Sequence, residues 1–448
     1  MFISKDINQK KILEFVEKFK EVGSLQQFGI YHNDELKIKF SINPYLESDS
    51  KQLFSVSKSF TSMAIGKAID NGLLDIHDKV IKFFSVPNPS ERLAKMEIFH
   101  LITMTTGHDR CVMPLIGTTN DPVRAFFNLD IPYEPGTYFA YNSAASLILS
   151  VIINKVTGMS VNEYIKDVYD ALNIDDHYFE SIEGISMGAT GLHLNIDALL
   201  SFGQFLLHEG NVNGKQIISK EYIKAATSKQ VSNDLNGTLD WTKGYGYHIW
   251  RGEEGYRCDG AFGQLIMVLP KKNMVIACQA CVNNMQDEVN LIKDLIRNLY
   301  GEDEVLNLEA QINNVYKIEK TNEFIGDLII ELEANKLDLN SIKISSSSGR
   351  VNLHFDGKYS FEISAGNGYY IKNSFYAVGI KRKLSDIMPS FYEESVVSCY
   401  YLFQDNRLEI VMKNHNTPLI QSIIIDYDTD CKVMINEKIF GGNLIINN

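Results

Sequence analysis

Phe54-Ser55-Val56-Ser57-Lys58-Ser59-Phe60 opens a run in which Phe60, Met63, Ala64, Ala68 and Ile69 recur at helical spacing until Asn71-Gly72 stops it. Ser55 and Lys58, three residues apart, therefore share one face of a first helical turn. A serine hydroxyl is a poor nucleophile at its ordinary pKa, but an amine held beside it in a partly dry pocket can lose its proton and act as base. The helix N-terminus adds backbone N–H groups and a positive field near any oxyanion formed there. Alone, the tetrad says little: Ser48-Asp49-Ser50-Lys51 repeats it in a polar stretch with no helix to orient it. Read without context, Ser55 is an ordinary helix residue and Lys58 a solvated first-turn lysine.

Upstream, Asp6 is placed to cap a helix with Ile12, Phe15, Val16 and Phe19 on one face and Gly23 as its stop. Phe28 to Tyr31, the polar turn at 32–35, and Leu36, Ile38, Phe40 and Ile42 predict a hairpin with one buried face. The next strands lie far downstream, at Tyr245 to Trp250, Gln264 to Leu269 and Met274 to Ala280. A helical stripe from Met285 to Leu299 follows them. Between the two sets the chain is helical and loopy, as at Tyr141 to Val156 and Asp197 to Leu207. The expected fold is α+β: an antiparallel sheet built from both ends of residues 1–301, flanked by helices, with a helical lobe in the middle. Residues 302–345 read as linker and entry to a second domain. Residues 346–448 read as an all-β barrel or sandwich. There Val351, Leu353 and Phe355, then Asp356-Gly357, then Tyr359, Phe361 and Ile363 suggest a hairpin. Further alternations at Val396 to Phe403, Leu408 to Met412, Ile423 to Tyr427 and Val433 to Ile439 extend the pattern.

The length of 448 residues fits two or three domains, and 45% hydrophobic with 22% charged residues excludes whole-chain disorder. Lys+Arg 43 against Asp+Glu 56 leaves a net charge of −13, which opposes nucleic acid and anionic membrane surfaces as partners. Charges in Met1 to Lys11 fall where a signal peptide needs an apolar core, and no apolar run approaches the ~18 residues of a membrane span. A cytoplasmic location is expected. The six cysteines, Cys111, Cys258, Cys278, Cys281, Cys399 and Cys431, look like scattered core thiols, including the pair in Cys278-Gln-Ala-Cys281. The ten histidines show no metal-ligand spacing, so neither metal nor other cofactor is expected. His108 and His193 read as structural loop residues.

A second candidate is Tyr141, at the loop-to-helix corner Pro135-Gly136-Thr137-Tyr138-Phe139-Ala140-Tyr141-Asn142-Ser143. A phenol placed beside a lysine and a serine can carry protons, whereas the commoner fate of a tyrosine is a half-buried ring with a bonded hydroxyl. With FSVSKSFTS, GLLDIHDKVIKFF, HLITMTTGH, PGTYFAYNSAASLILSVIINKVTG and ATGLHLNIDALLSFGQFLLHEG in this order, the chain resembles the serine β-lactamase-like hydrolases. These comprise class C β-lactamases, D-alanyl-D-alanine carboxypeptidases and related esterases and amidases. The resemblance spans roughly residues 50 to 300. It implies the penicillin-recognition fold and an acyl-serine mechanism on an ester or amide substrate, with Ser55 attacking and Lys58 and Tyr141 moving protons.

Two departures bear on substrate choice. The family's Tyr-x-Asn becomes Tyr141-Asn142-Ser143, so Ser143 would meet the substrate with a hydroxyl in place of an amide. The usual Lys-Thr-Gly or His-x-Gly becomes Asp259-Gly260-Ala261, followed by Phe262-Gly263-Gln264. Asp259 would disfavour a substrate carboxylate and favour a cationic or neutral substrate, pair with Arg257 on the same strand face, or only order a turn. The N–H of Phe262 is a candidate oxyanion partner to that of Ser55. Gly184-Ile185-Ser186-Met187-Gly188 fits the nucleophile elbow of another hydrolase class, without the buried strand and following helix that elbow needs. The alternative from a different class is a scaffold that binds a ligand or partner without turnover.

Overall fold

A computed structural model describes the chain except residues 183, 235–238, 334–338, 358–359, 376–394, 427–431, 438–442 and 447–448. Helix α1 (Gln9–Val22) buries Ile12, Phe15, Val16 and Phe19 and ends at Gly23. Its cap is Asn8, whose side chain accepts from Lys11 N at 3.1 Å. Asp6, the expected cap, instead pairs with Lys37 at 3.0 Å. Strands β1 (Gly23–His32) and β2 (Glu35–Ser41) follow, joined through Asn33 and Asp34 at φ 52° and 63°. This left-handed pair matches the twist of the hairpin.

Helices α2 (Ser57–Asp70), α3 (Ser143–Thr157) and α4 (Ile196–Leu207) come from the middle of the chain, and β3 (Tyr256–Gly260), β4 (Gln264–Leu269), β5 (Met274–Val282) and α5 (Met285–Arg297) complete the first part. Seven strands form one antiparallel sheet in the order 2–3, β2, β1, β5, β4, β3, 250–251. The chain's two ends meet where β1 pairs with β5, Phe28 opposite Cys278. The strand expected at Tyr245 to Trp250 shrinks to Trp250–Arg251, because His248 takes a left-handed φ of 58°.

One sheet face packs on α1 and α5 through Phe15, Phe28, Ile276 and Ile292. The other packs on the helical lobe through Phe60, Leu147, Phe202 and Ile266. A Cβ at Gly203 would lie 2.3 Å from Val275 Cγ1, so only glycine lets α4 approach β5 this closely.

Three small sheets lie in the middle of the chain, and the strands of the C-terminal part form a ten-stranded sheet running from Leu328–Glu331 to Asn443–Ile446. Its pairings are antiparallel except that between Phe361–Asn367 and Ser395–Gln404. Val351, Leu353, Phe355, Cys399, Ile410 and Ile425 lie in its core. The sheet begins inside the segment read as linker, at Leu328. Helix Leu308–Val315, also in that segment, packs through Leu308 and Ile312 on the core of α1 and α5. The expected hairpin forms with Phe355 opposite Phe361, but Asp356 and Gly357 stay in the strand and the connection falls after them. Tyr359, Tyr427, Cys431 and Ile439 lie outside the described residues. Among the described residues, no helix is long and apolar enough to cross a membrane.

Candidate active site

Ser55 sits in a 3₁₀ turn, Phe54–Val56, leading into α2, rather than in the first turn of the α-helix itself. The three-residue spacing still brings Lys58 Nζ to 2.9 Å from Ser55 Oγ. The same amine donates to the Ala189 carbonyl at 2.8 Å. Lys58 is 1% exposed, and burial pulls its pKa from 10.5 down to about 7. Near neutral pH a substantial fraction of this amine is uncharged and able to accept a proton.

Tyr141 comes from the loop before α3, held there by Asn142. The Asn142 side chain caps α3 by accepting from Ala144 N and also accepts from Val112 N, each at 3.1 Å. Lys58 Nζ lies 5.0 Å from the Tyr141 ring centroid, and Ser55 hydrogen-bonds its hydroxyl. Burial raises the phenol's pKa and that bond only partly offsets the rise, so Tyr141 is a neutral phenol. The ring stacks on Trp250 at 5.2 Å and meets Tyr245 edge-on. Ser143 is the first residue of α3 and is half-buried.

The opposite wall is the end of β3 and the turn after it. A Cβ at Gly260 would fall 2.1 Å from the Leu53 carbonyl, so this glycine lets the strand lie against the chain entering Ser55. Phe54 and Phe262 both hold left-handed φ values, 47° and 68°, and their rings pack edge-to-face at 5.1 Å. Such conformations cost bulky residues ~1–3 kcal/mol each and persist only where packing enforces them. They adjoin Ser55 on one side and belong to the candidate oxyanion strand on the other.

Arg257 and Asp259 are buried, and the Asp259 carboxylate lies close enough to Tyr141 to raise the phenol's pKa further. Arg257 Nε lies 3.3 Å from Asp259, and its guanidinium also meets Asp240 at 3.5 Å and the Trp241 ring at 4.7 Å. Lys293 on α5 reaches Asp240 at 2.8 Å. Of the three readings of Asp259, the geometry realises the pairing with Arg257. Lys293 also meets Glu253 at 3.2 Å, so two cations are matched by three carboxylates, with Arg257 2% and Asp259 6% exposed. Burial still raises the pKa of Asp259, opposed by Arg257.

Some of the surroundings left no sequence signal. The carbonyls of Gly188 and Ala189, which anchor Thr61 and Lys58, belong to a segment that looked like an elbow. Ser186 itself lies in a short hairpin, fully buried, with no helix after it. Cys111 is half-buried and near both Lys58 and Tyr141, unlike the enclosed thiols Cys258, Cys278, Cys281 and Cys399. His248 is buried against Ser146 at 2.9 Å, and burial, with Lys58 nearby, holds its pKa down at about 3. Burial likewise holds His108 and His193 at about 4, beside Thr106 and Glu180. Among the described residues no cluster of side chains is arranged to hold a metal ion.

A family model described as Beta-lactamase matches residues 49–293, more than half of the chain and the whole of this site. The chain belongs to the Beta-lactamase family. An uncharacterized protein of Alkalihalophilus pseudofirmus is 27% identical over 256 residues, covering 49% of this chain and 70% of its own length. The octameric penicillin-binding protein homologue from Pyrococcus abyssi superposes with a TM-score of 0.53 at 19% identity, covering 90% of this chain and 97% of its own. EstCE1, a hydrolase with promiscuous acyltransferase activity, gives 0.51 at 14% identity over 68% of this chain and 97% of its own. At these identities the likeness to solved structures is one of fold, and it bears out the expected penicillin-recognition architecture.

Proposed function

We propose that this Beta-lactamase family chain is a serine hydrolase that cleaves a neutral ester or amide through an acyl-Ser55 intermediate. The observation that carries the reading is the 2.9 Å approach of a fully buried, readily deprotonated Lys58 amine to the Ser55 hydroxyl. Lys58 takes the Ser55 proton as Oγ attacks the carbonyl carbon. The oxyanion collects at the backbone N–H groups of Ser55 and Phe262. Collapse expels the leaving group, which receives a proton passed from Lys58 through Tyr141. Tyr141 rests as a phenol, so it relays protons rather than waiting as a phenolate. Water then repeats the sequence on the acyl group and regenerates Ser55.

The substrate class follows from the closed Arg257–Asp259–Asp240–Lys293 group. It offers no uncompensated cation to a substrate carboxylate. Labelling with a fluorophosphonate, with the adduct located by mass spectrometry, tests the nucleophile. Label on Ser55 that disappears in Ser55→Ala is the expected result. Label on Ser186, or no adduct from a broad reagent panel, would defeat the proposal. In a panel of nitrophenyl esters, D-amino-acid amides and nitrocefin, the neutral nitrophenyl esters turn over fastest.

A further inference from the structure

The sheet of the C-terminal domain sends the loop Asn414–Leu419 into the first domain, and it lands on the segments that hold Ser55 and Lys58. The Asn416 carbonyl accepts from Gln52 N at 2.8 Å, three residues before Ser55. The same residue's backbone hydrogen-bonds the His193 ring. Residues 51–52 and 192–194 pair as short strands, Gln52 opposite His193. Two further bonds tie that pair to the site: Leu53 N donates to Leu192 O at 2.8 Å, and Leu192 N donates to Ser57 Oγ at 3.0 Å. The chain from Leu192 runs back to Ala189, whose carbonyl holds Lys58. One loop thus grips both the stretch that delivers the nucleophile and the stretch that holds its base.

The loop is built to keep its shape. Asn414 Oδ1 accepts from Asn416 N at 2.8 Å and Thr417 N at 3.1 Å. His415 is clamped between Asp49 at 2.6 Å and Ser398 at 2.8 Å. Lys51 donates to the carbonyls of Asn414 and His415 at 3.1 and 3.3 Å, and Gln26 to that of Pro418 at 2.7 Å. Asn414, His415 and Thr417 are each at most 4% exposed.

We infer that Asn414 and His415 are positioning residues for the hydrolase site, holding the loop that fixes the strand entering Ser55 against the segment whose Ala189 carbonyl holds Lys58. The C-terminal domain is then a working part of the catalytic machinery. This rests on the serine-hydrolase reading, so the test carries a readout that does not need turnover. In the full-length chain, Asn414→Ala removes the acceptor that shapes the loop, and Asn414→Asp restores it. Asp49→Asn loosens His415 and serves if Asn414→Ala fails to fold.

Amide exchange measured by mass spectrometry should accelerate at least tenfold in Asn414→Ala over residues 50–58 and 188–194. In the same folded protein, fluorophosphonate labelling of Ser55 and kcat on a nitrophenyl ester should fall about tenfold, with KM within about twofold, and Asn414→Asp should recover both. Folded Asn414→Ala with unchanged exchange overturns the inference. So does faster exchange with undiminished labelling and kcat, which makes the loop a brace alone. Wild-type protein that takes no label overturns the hydrolase reading and any catalytic role for the loop. The exchange comparison then separately decides whether the loop holds these two segments.

Discussion

Two lysines seven residues apart, Lys51 and Lys58, each end a Ser-x-x-Lys tetrad, and both are enclosed in protein. Burial pulls each from 10.5 to about 7. Their partners separate them. Lys58 reaches the hydroxyl of its own tetrad, whereas Lys51 leans over the Tyr45 ring at 4.0 Å and donates to two carbonyls of the C-terminal loop. Ser48 is exposed, on a stretch with no helix to bring it round. A depressed amine pKa is therefore not by itself a mark of catalysis. What distinguishes Lys58 is the acceptor of its hydrogen bond, and that is set by a turn entering a helix.

The strongest way to break the comparison is to remove each amine. Lys58→Ala should lower the acylation rate by a factor on the order of 10²–10⁴, the usual worth of a general base. Lys51→Met should act through the loop instead, with a loss about tenfold or less and a pH profile unchanged in midpoint. Pre-steady-state acylation with a nitrophenyl ester measures both. Equal losses in the two variants would show that the tetrads are not functionally distinct.

Arg257 is a third buried cation, and it sharpens the contrast because carboxylates surround it. Arg257→Met leaves Asp259 enclosed with its principal counter-charge gone. Breaking a buried pair in this way costs ~3–5 kcal/mol. Urea denaturation should show a midpoint far below that of wild type. A midpoint within error of wild type would mean that Asp259 is compensated elsewhere, and the neutral-substrate argument would lose its basis.

How much was readable in advance follows from how local each signal is. The helices around Phe60 and Leu147, the turn at 32–35 and the strands at Phe28 to Tyr31, Leu36 to Ile42, Gln264 to Leu269 and Met274 to Ala280 are written in spacing that any short window contains. Ser55, Lys58 and Tyr141 stand out in the sequence because Ser-x-x-Lys is itself a helical contact and Tyr141 stands at a helix entrance. The pairing of Arg257 with Asp259 follows from strand alternation alone. The carbonyls of Gly188 and Ala189 were not legible, because a backbone atom contributes no residue type to a pattern. The burial of Lys51 is illegible for a related reason: what buries it is the loop Asn414–Leu419, more than 360 residues away in sequence. The left-handed Phe54 and Phe262 were equally silent, since positive φ is ordinarily announced by glycine or asparagine and here is imposed by packing.

The finest test of the two amines is their effect on stability against pH. In the unfolded chain each lysine titrates at its ordinary 10.5, and in the folded chain at about 7. Between these values unfolding takes up a proton, so wild-type stability rises with pH through this window. The burial penalty is complete below about 7 and gone above 10.5. Replacing one amine by methionine removes its share. The stability of Lys58→Met relative to wild type should therefore fall by at most ~1.4 kcal/mol per pH unit from about 8 to 10, and hold constant below about 6. Lys51→Met should show the same slope offset by a constant loss, because two carbonyls of the loop are left without their donor. Thermal or urea unfolding at pH 6, 8 and 9.5 gives the three points needed. A flat difference for Lys58→Met would mean that its amine stays charged in the fold, and a charged amine cannot be the base that activates Ser55.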